Sequence, residues 1–202
     1  MDAPRRRMTR VEAQQETRAR LIEAGLNLIA EEGVGAASIR GICERAGFSQ
    51  GAFYSNFSSK DDLLLAIVGT HMTRIARTLV ELVETTEGLG LDDSLERLGA
   101  RLSDLAQSPV LSRLVVEMHL HAQRDAAFAA RFAEVTGAYQ AEFRRITETL
   151  MARHSLVAAQ SSEVIAAAMM ALWFGSIVQA RTPDAPSVGE LQLGYFRAVT
   201  TA

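Results

Sequence analysis

The stretch that decides the fold of this 202-residue chain is residues 38–60, which read SIRGICERAGFSQGAFYSNFSSK. Serine is a preferred N-cap, so Ser38 and Ser49 each predict the start of a helix. Gly47 between them suits the left-handed residue that ends the first helix. The apolar residues of both segments recur at helical spacing. The stretch therefore predicts two short helices joined by a tight turn, which is a helix-turn-helix.

The second of these helices has an apolar face and a polar one. Phe53 and Phe57 lie one turn apart and are expected to point inward. The opposite face is uncharged and small, and it consists of Gln50, Gly51, Tyr54, Ser55 and Asn56. Such side chains can hydrogen-bond to base edges and phosphates, and a helix-turn-helix places its second helix in the DNA major groove. We therefore predict that this face binds double-stranded DNA.

Composition and the distribution of charge narrow the class of protein. The chain is 48% hydrophobic and 22% charged, and its single cysteine, Cys43, excludes an internal disulfide framework. No apolar run follows the basic N-terminus, so we expect no secretory signal and a cytoplasmic protein. The net charge is −3, but residues 1–60 hold nine Lys or Arg and seven Asp or Glu, whereas residues 61–202 hold twelve and seventeen. A basic head on an acidic body suits a DNA-binding domain joined to one that does not bind DNA.

Helical periodicity extends along the rest of the chain. A first helix is expected over residues 17–32, after a polar and frayed N-terminal segment, and it should cover the apolar backs of the helix-turn-helix. Ser59 and Asp62 resemble a capping box that opens a long helix shared by both halves of the chain. No strand pattern follows. We expect an all-α protein of about nine helices, with a helix-turn-helix domain over 1–60 and a helical ligand-binding and dimerisation domain over 61–202.

The last two predicted helices offer an extensive apolar surface. Residues 164–180 carry no charge, but they are short for a membrane span, which needs about 18–20 predominantly apolar residues. A helix that is apolar on most sides is more often buried against several others. With Leu191 and Tyr195 of the last helix, which follows a linker at 182–186, it offers the face of a two-fold symmetric dimer. We therefore expect no membrane association and a homodimer through the last two helices, which arginine at Trp173 should disrupt.

The first 68 residues resemble the N-terminal domain of the TetR (tetracycline-repressor-like) family of transcriptional regulators. The likeness is most specific over residues 46–63, which read AGFSQGAFYSNFSSKDDL. It implies a homodimer whose two recognition helices enter successive major grooves of a near-palindromic operator. The residues that the resemblance places at DNA are Ser38, Arg40, Gln50, Gly51, Tyr54, Ser55, Asn56 and Lys60.

Within that set the resemblance implies different roles. Tyr54 and Lys60, the only lysine in the chain, are expected to bind phosphates, and Gln50 is expected to read a base. Many members of the family carry a bulky aromatic residue and a histidine where this chain has Ser55 and Asn56, so its base preference should differ. The basic residues that precede the first helix either form a solvated terminus or lie along phosphates, and they are Arg5, Arg6, Arg7 and Arg10.

The family resemblance also implies a pocket for a small molecule among the C-terminal helices. Its occupancy would change the angle of the long fourth helix, and with it the spacing of the two DNA-binding heads. The candidate lining is mostly apolar with a few polar side chains, although for any single residue plain core packing is the favoured interpretation. These residues are Met72, Ile75, Leu102, Leu105, Met118, His119, Phe132, Tyr139, Phe143, Met169 and Trp173.

The sequence gives little support for a metal site, an enzyme active site or a redox switch. His119 and His121 are two positions apart, so on a helix they point roughly 200° apart and cannot bind one metal ion together. We expect no metal, no cofactor and no enzyme, since phosphate-loop, nucleophile-elbow and zinc-protease motifs are absent. Cys43 is expected to be a small buried residue, with a redox switch as the alternative. The alternative function is an all-helical small-molecule-binding protein or enzyme with a vestigial DNA-binding motif.

Overall fold

The computed structural model describes residues 9–106, 109–179 and 186–201, and over these ranges the chain forms nine helices. They are α1 (Arg10–Glu32), α2 (Ile39–Ala46), α3 (Gln50–Tyr54), α4 (Lys60–Thr85), α5 (Leu91–Ala106), α6 (Pro109–Ala122), α7 (Ala126–Arg153), α8 (Ser162–Gln179) and α9 (Val188–Val199). The predicted helical class and number of helices are confirmed for these residues.

The expectation of no strand is wrong at two short segments. Strand β1 (Val157–Ala158) pairs antiparallel with β2 (Thr200–Thr201). A strand of two residues is too short to show the alternation of polar and apolar side chains by which a sequence reveals strands. Other expectations concern residues outside the described ranges, namely Arg5, Arg6, Arg7 and the linker at 182–185.

The helices divide into two compact units, one ending at Val68 and the other beginning at Gly69. We predicted a boundary after residue 60, and the division falls later because the first turns of α4 pack on α1. A β-carbon placed on Gly25 of α1 would lie 3.0 Å from Leu63 Cδ2 and 3.1 Å from Ile67 Cδ1. The first two turns of α4 therefore complete the core of the first unit.

The helix-turn-helix forms as its capping residues predict. The Ser38 hydroxyl accepts a hydrogen bond from the Gly41 N–H at 3.0 Å, and the Ser49 hydroxyl accepts one from the Ala52 N–H at 3.2 Å. Gly47 ends α2 in the left-handed conformation, with a φ of +73°. Each cap satisfies backbone groups that the end of a helix leaves open. The largest fully buried side chains of this unit are Leu21, Ile29, Ile42, Phe53, Leu63 and Ile67.

Helix α1 begins seven residues earlier than predicted, at Arg10 rather than residue 17. A complete capping box explains the earlier start. The Thr9 hydroxyl accepts from the Glu12 N–H at 3.2 Å, and the Glu12 carboxylate accepts from the Thr9 N–H at 2.7 Å. The same hydrogen bonds lower the pKa of Glu12. Helix α1 therefore has two more turns than predicted, and their side chains can contact the helix-turn-helix.

The start of α4 was predicted correctly, although the cap involves Ser58 in addition to the predicted Ser59 and Asp62. The Ser59 hydroxyl accepts from the Asp62 N–H at 3.1 Å, as a capping box requires. The Asp62 carboxylate reaches the residue before the cap and accepts from the Ser58 N–H at 2.8 Å. It also accepts from the Ser58 hydroxyl. The helix start is thus fixed from both sides.

In the second unit, α5 and α9 cross with backbone against backbone. A β-carbon on Gly189 of α9 would lie 2.3 Å from the Gly99 carbonyl oxygen and 2.7 Å from the Gly99 carbonyl carbon of α5. The Gly189 N–H donates to the Ser103 hydroxyl at 3.2 Å. At the other end of the crossing, Arg197 pairs with Asp92 at 2.8 Å. Only glycine at position 189 permits this approach without a shift of one helix.

Helix α7 is the longest helix of the described chain, with 28 residues. Its C-terminal end is hydrogen-bonded to the C-terminal end of α4. Asp125 caps the start of α7 by accepting from the Phe128 N–H at 2.9 Å. Its last residue, Arg153, donates to the Val83 carbonyl at 2.5 Å and to the Thr86 hydroxyl at 3.1 Å. A guanidinium at the last carbonyls of a helix interacts favourably with the helix dipole. Arg153 therefore links the C-terminal ends of α7 and α4.

Candidate nucleic-acid interface

Helix α3 presents its polar side chains to solvent and its phenylalanines to the core. Phe53 and Phe57 are buried, whereas the Tyr54 side chain is 56% exposed. The Tyr54 ring stands edge-on to Phe53, with 5.5 Å between the ring centroids. Gln50 and Gly51 are exposed in the first turn of the helix. The predicted division into an inner and an outer face is confirmed for α3.

Ser55 and Asn56 lie beyond the helix rather than on its face, because α3 ends at Tyr54. Both side chains donate to the Ala52 carbonyl, Ser55 Oγ at 2.9 Å and Asn56 Nδ2 at 2.8 Å. They thus satisfy a carbonyl that the end of a helix leaves open. Ser55 is exposed and Asn56 is half-buried, so base reading by Asn56 would first require its amide to leave Ala52. Their contact with DNA stays a prediction.

Lys60 connects the start of α4 to the loop that follows α1. Its Nζ donates to the Val34 carbonyl at 2.6 Å, and the side chain is half-buried. The carbonyl group carries no net charge, so this hydrogen bond orients the ammonium without changing its charge. The expected phosphate contact of Lys60 stays a prediction, and the structure adds a structural role that the sequence did not suggest.

Ser38 and Arg40 lie exposed at the start of α2. The Ser38 hydroxyl is occupied as the cap of that helix. Arg40 Nε donates to Glu44 Oε1 at 2.8 Å, and this hydrogen bond raises the pKa of Arg40. Arg45 is likewise paired, with its Nη1 2.7 Å from Glu31 Oε1. Two arginines of this unit are therefore partly compensated by carboxylates, which weakens the attraction that they offer to DNA.

Three side chains of α1 that sequence analysis missed reach the ends of the other two helices. Gln14 Nε2 donates to the Ser55 carbonyl at 3.5 Å, and Arg18 Nη1 donates to the Asn56 carbonyl at 2.7 Å. Arg20 Nη2 donates to the Ala46 carbonyl at 2.8 Å at the end of α2. The Thr9-x-x-Glu12 capping signal would have placed Gln14 and Arg18 one turn apart on a helix.

Cys43 is buried, as predicted, with 3% of its surface exposed. Burial, and to a lesser degree the neighbouring Glu44 carboxylate, raises the pKa of its thiol. A thiol with a raised pKa holds its proton and reacts slowly, because the thiolate is the nucleophile. Cys43 therefore serves as a small apolar residue of the α2 core.

The residues predicted to line a ligand pocket lie in the second unit, mostly in its core. Those that are buried are Met72, Ile75, Leu102, Met118, Phe132, Tyr139, Phe143 and Trp173, and those that are half-buried are Leu105, His119 and Met169. Burial raises the pKa of Tyr139 and lowers the pKa of His119. Both groups are therefore uncharged at neutral pH. That these residues enclose a ligand stays a prediction.

The two histidines of α6 lie among aromatic rings. His119 stands edge-on to Phe132 and Phe174, with ring centroids 4.9 and 5.0 Å away. His121 is half-buried and packs on Phe128, with 4.3 Å between the ring centroids. Within the described ranges no group of three or more His, Cys, Asp or Glu side chains is arranged to hold a metal ion.

One helix of the described residues, Lys60–Thr85, has the length and hydropathy of a membrane span. Half of its most apolar window is buried inside the protein. The core helix of a soluble protein meets the same criteria of length and hydropathy, so this observation is weak evidence for a membrane span.

Comparison with known proteins places this arrangement in a family. The family model of bacterial regulatory proteins, tetR family, matches residues 21–67. An uncharacterized HTH-type transcriptional regulator of Pseudomonas putida, TtgW, is 31% identical over 103 residues, which cover 51% of this chain and 72% of TtgW. The chain belongs to the TetR family of transcriptional regulators. The HTH-type transcriptional regulator SrpR of Pseudomonas putida is also 31% identical over 103 residues, and this match spans 45% of SrpR.

The fold of the chain is that of TetR-family structures. A TetR transcription regulator from Haloarcula marismortui ATCC 43049 superposes with a TM-score of 0.71 at 19% identity, over 93% of this chain and all of that one. Reduced Escherichia coli NemR superposes with a TM-score of 0.68 at 20% identity, over 92% of this chain and 98% of NemR. The TetR-family relatives are transcriptional regulators and not enzymes, and the same holds for this chain.

Proposed function

We propose that this TetR-family regulator is a cytoplasmic repressor that binds a near-palindromic operator as a homodimer and is released by a small, mostly apolar ligand. The observation that carries the DNA-binding part is the exposed polar face of α3. Tyr54 and Gln50 project from a helix whose start is capped by Ser49 and whose opposite side is fixed by two buried phenylalanines. A rigidly held pair of polar side chains favours direct contact with base edges and phosphates.

A dimer through α8 and α9 is supported by the uncharged stripe that these helices expose. Val164, Ala167 and Ala171 follow one another at helical spacing on α8, and all three are exposed. Leu191 and Gly194 are exposed at corresponding spacing on α9. Small residues let the backbones of two helices approach closely, and a two-fold axis would bring the same stripe of both protomers together.

The class of ligand follows from the side chains of the second unit. The predicted lining offers aromatic and aliphatic surface, and its polar groups Tyr139 and His119 are uncharged at neutral pH. Such groups can hydrogen-bond to a neutral ligand but cannot balance a charged one.

Ligand binding would act on the DNA-binding unit by displacing α7. This helix carries Phe132, Tyr139 and Phe143, and its last residue, Arg153, is bonded to the end of α4. A displacement of α7 by a ligand would therefore move the C-terminal end of the helix that begins in the DNA-binding unit. The ligand would prefer one of two states and so change the stability of the operator-bound one.

Tyr54→Ala tests the proposed interface. We expect operator affinity, measured by fluorescence anisotropy with DNA from upstream of the protein's own gene, to fall about tenfold or more. If the Tyr54 hydroxyl binds a phosphate, Tyr54→Phe should show most of the loss in operator affinity that Tyr54→Ala shows. Val11→Ala is the control. It removes an exposed apolar side chain of α1 in the same unit and should leave operator affinity unchanged.

The thermal midpoint of Tyr54→Ala decides how its binding is interpreted. Because Tyr54 is largely exposed, the variant should unfold at the wild-type temperature. Wild-type affinity in Tyr54→Ala, or a large loss of thermal stability, would count against this interface.

A further inference from the structure

We infer that Arg18, supported by Gln14, is a positioning residue for DNA recognition, because it holds the C-terminal end of α3 in place from α1. This inference rests on the DNA-binding function proposed above. It assigns to a side chain outside the recognition helix the task of fixing the orientation in which Tyr54 and Gln50 meet DNA.

Helix α3 cannot hold its own geometry. It has five residues, whereas isolated helices shorter than about 12–15 residues are marginal in water. The carbonyls at its end accept hydrogen bonds only from the residues that follow it directly, namely from the amides of Ser55, Asn56 and Phe57 and from the side chains of Ser55 and Asn56. Its start is fixed by Ser49 and its middle by the burial of Phe53. The hydrogen bonds at the end of α3 are all local, so the position of that end relative to α1 depends on contacts between the two helices.

Arg18 makes two different contacts at that end. Its Nη1 donates to the Asn56 carbonyl at 2.7 Å, and its guanidinium carbon lies 4.2 Å from the centroid of the Phe57 ring. The Phe57 ring in turn lies 5.5 Å from the Phe53 ring. One planar group thus binds the backbone just after α3 and lies over Phe57, which in turn contacts the Phe53 ring of α3.

Gln14 adds a weaker contact on the preceding turn of α1. Its Nε2 donates to the Ser55 carbonyl at 3.5 Å, next to the carbonyl that Arg18 binds. Two consecutive carbonyls after α3 therefore accept from side chains spaced four residues apart on α1. A tilt of α3 that moved Tyr54 away from the groove would break both hydrogen bonds.

The competing role for an exposed arginine in this unit is a direct phosphate contact. The two roles differ in what they require of the side chain. A phosphate contact needs positive charge, which lysine also supplies, whereas a stacked guanidinium that also caps a carbonyl needs the planar fork. Arg18→Lys therefore separates the two roles, because it keeps the charge and removes the fork.

The test compares wild type with Arg18→Lys on operator and on unrelated DNA across a series of salt concentrations. We expect operator affinity to fall about tenfold, with affinity for unrelated DNA and the salt slope unchanged. Arg18→Gln should lose operator affinity to a similar extent. If Arg18→Lys binds the operator like wild type while Arg18→Gln binds both DNAs less well, with a salt slope smaller by about 0.9, Arg18 contacts phosphate and the inference is overturned.

Arg97→Gln is the control for the loss of one arginine, since Arg97 is exposed on α5 in the second unit. It should leave the ratio of operator affinity to non-specific affinity at its wild-type value. Equal thermal midpoints for all the variants show that the change in this ratio does not come from unfolding. A ratio that falls as far in Arg97→Gln as in Arg18→Lys overturns the assignment.

Hydrogen exchange in the free protein tests the same contact without DNA. The Ser55 and Phe57 amides donate to carbonyls of α3, and in Arg18→Lys they should exchange about tenfold faster while amides of α7 keep their rates. Unchanged exchange at these amides overturns the inference. A wild-type protein that binds no operator would overturn the proposed function instead, and exchange would then decide the contact between α1 and α3 on its own.

Discussion

Ala171→Arg is expected to convert the proposed dimer to a monomer and to weaken operator binding about a hundredfold. Ala171 is exposed on α8 in the middle of the uncharged stripe, so a guanidinium there would be buried without a partner in the proposed interface. A monomer engages one half-site at a time and loses the gain in affinity from binding two half-sites together. Light scattering would report the mass, and anisotropy would report the operator affinity.

The position of this variant matters, because arginine at the position chosen from the sequence would not test the interface itself. We predicted that arginine at Trp173 would disrupt the dimer, but Trp173 is only 4% exposed within the protomer. A charge there would unfold the core and say nothing about the interface. Ala130→Arg, at an exposed alanine of α7, is the matched control and should remain dimeric. A dimeric Ala171→Arg protein would show that the protomers meet elsewhere.

Gly189→Ala is expected to lower the free energy of unfolding by about 2–3 kcal/mol. The new methyl group would lie 2.3 Å from the Gly99 carbonyl oxygen and 2.7 Å from the Gly99 carbonyl carbon. Both of these atoms belong to the backbone of α5, so no change of rotamer can relieve the overlap and one helix must move. Urea denaturation would show a lower midpoint with an unchanged slope.

Gly137→Ala provides the control for the intrinsic preference of helices for alanine. Gly137 is exposed on α7, and a β-carbon there meets no atom within 4 Å. This substitution should stabilise the protein by up to about 1 kcal/mol. If Gly189→Ala were as stable as Gly137→Ala, the close crossing of α5 and α9 would be refuted.

Local signals predicted the helix-turn-helix well. Ser38, Gly47 and Ser49 each determine the conformation of the few residues around them, so their effect can be read without knowledge of the rest of the fold. The division of α3 into a buried and an exposed side follows in the same way from the spacing of Phe53 and Phe57. The start of α1 was missed although its signal, Thr9 followed by Glu12, is equally local.

Contacts between segments that are distant in the sequence could not be predicted from local signals. Lys60 binds the Val34 carbonyl and Arg18 binds the Asn56 carbonyl, and nothing in the residues nearby in sequence indicates either partner. The same holds for Gly189, which looks like an unfavourable residue inside a helix until Gly99 is seen beside it. These contacts depend on how the helices pack, so they appear only in the folded structure.

The measurement that tests the central claim most directly is the affinity of the wild-type protein for DNA from upstream of its own gene. Fluorescence anisotropy would compare this DNA with an unrelated duplex of equal length at the same salt concentration. We predict that the upstream DNA binds about a thousandfold more tightly or better, as expected for specific recognition. Equal affinity for the two duplexes, or no binding even at low salt, would contradict the proposal that the polar face of α3 reads an operator.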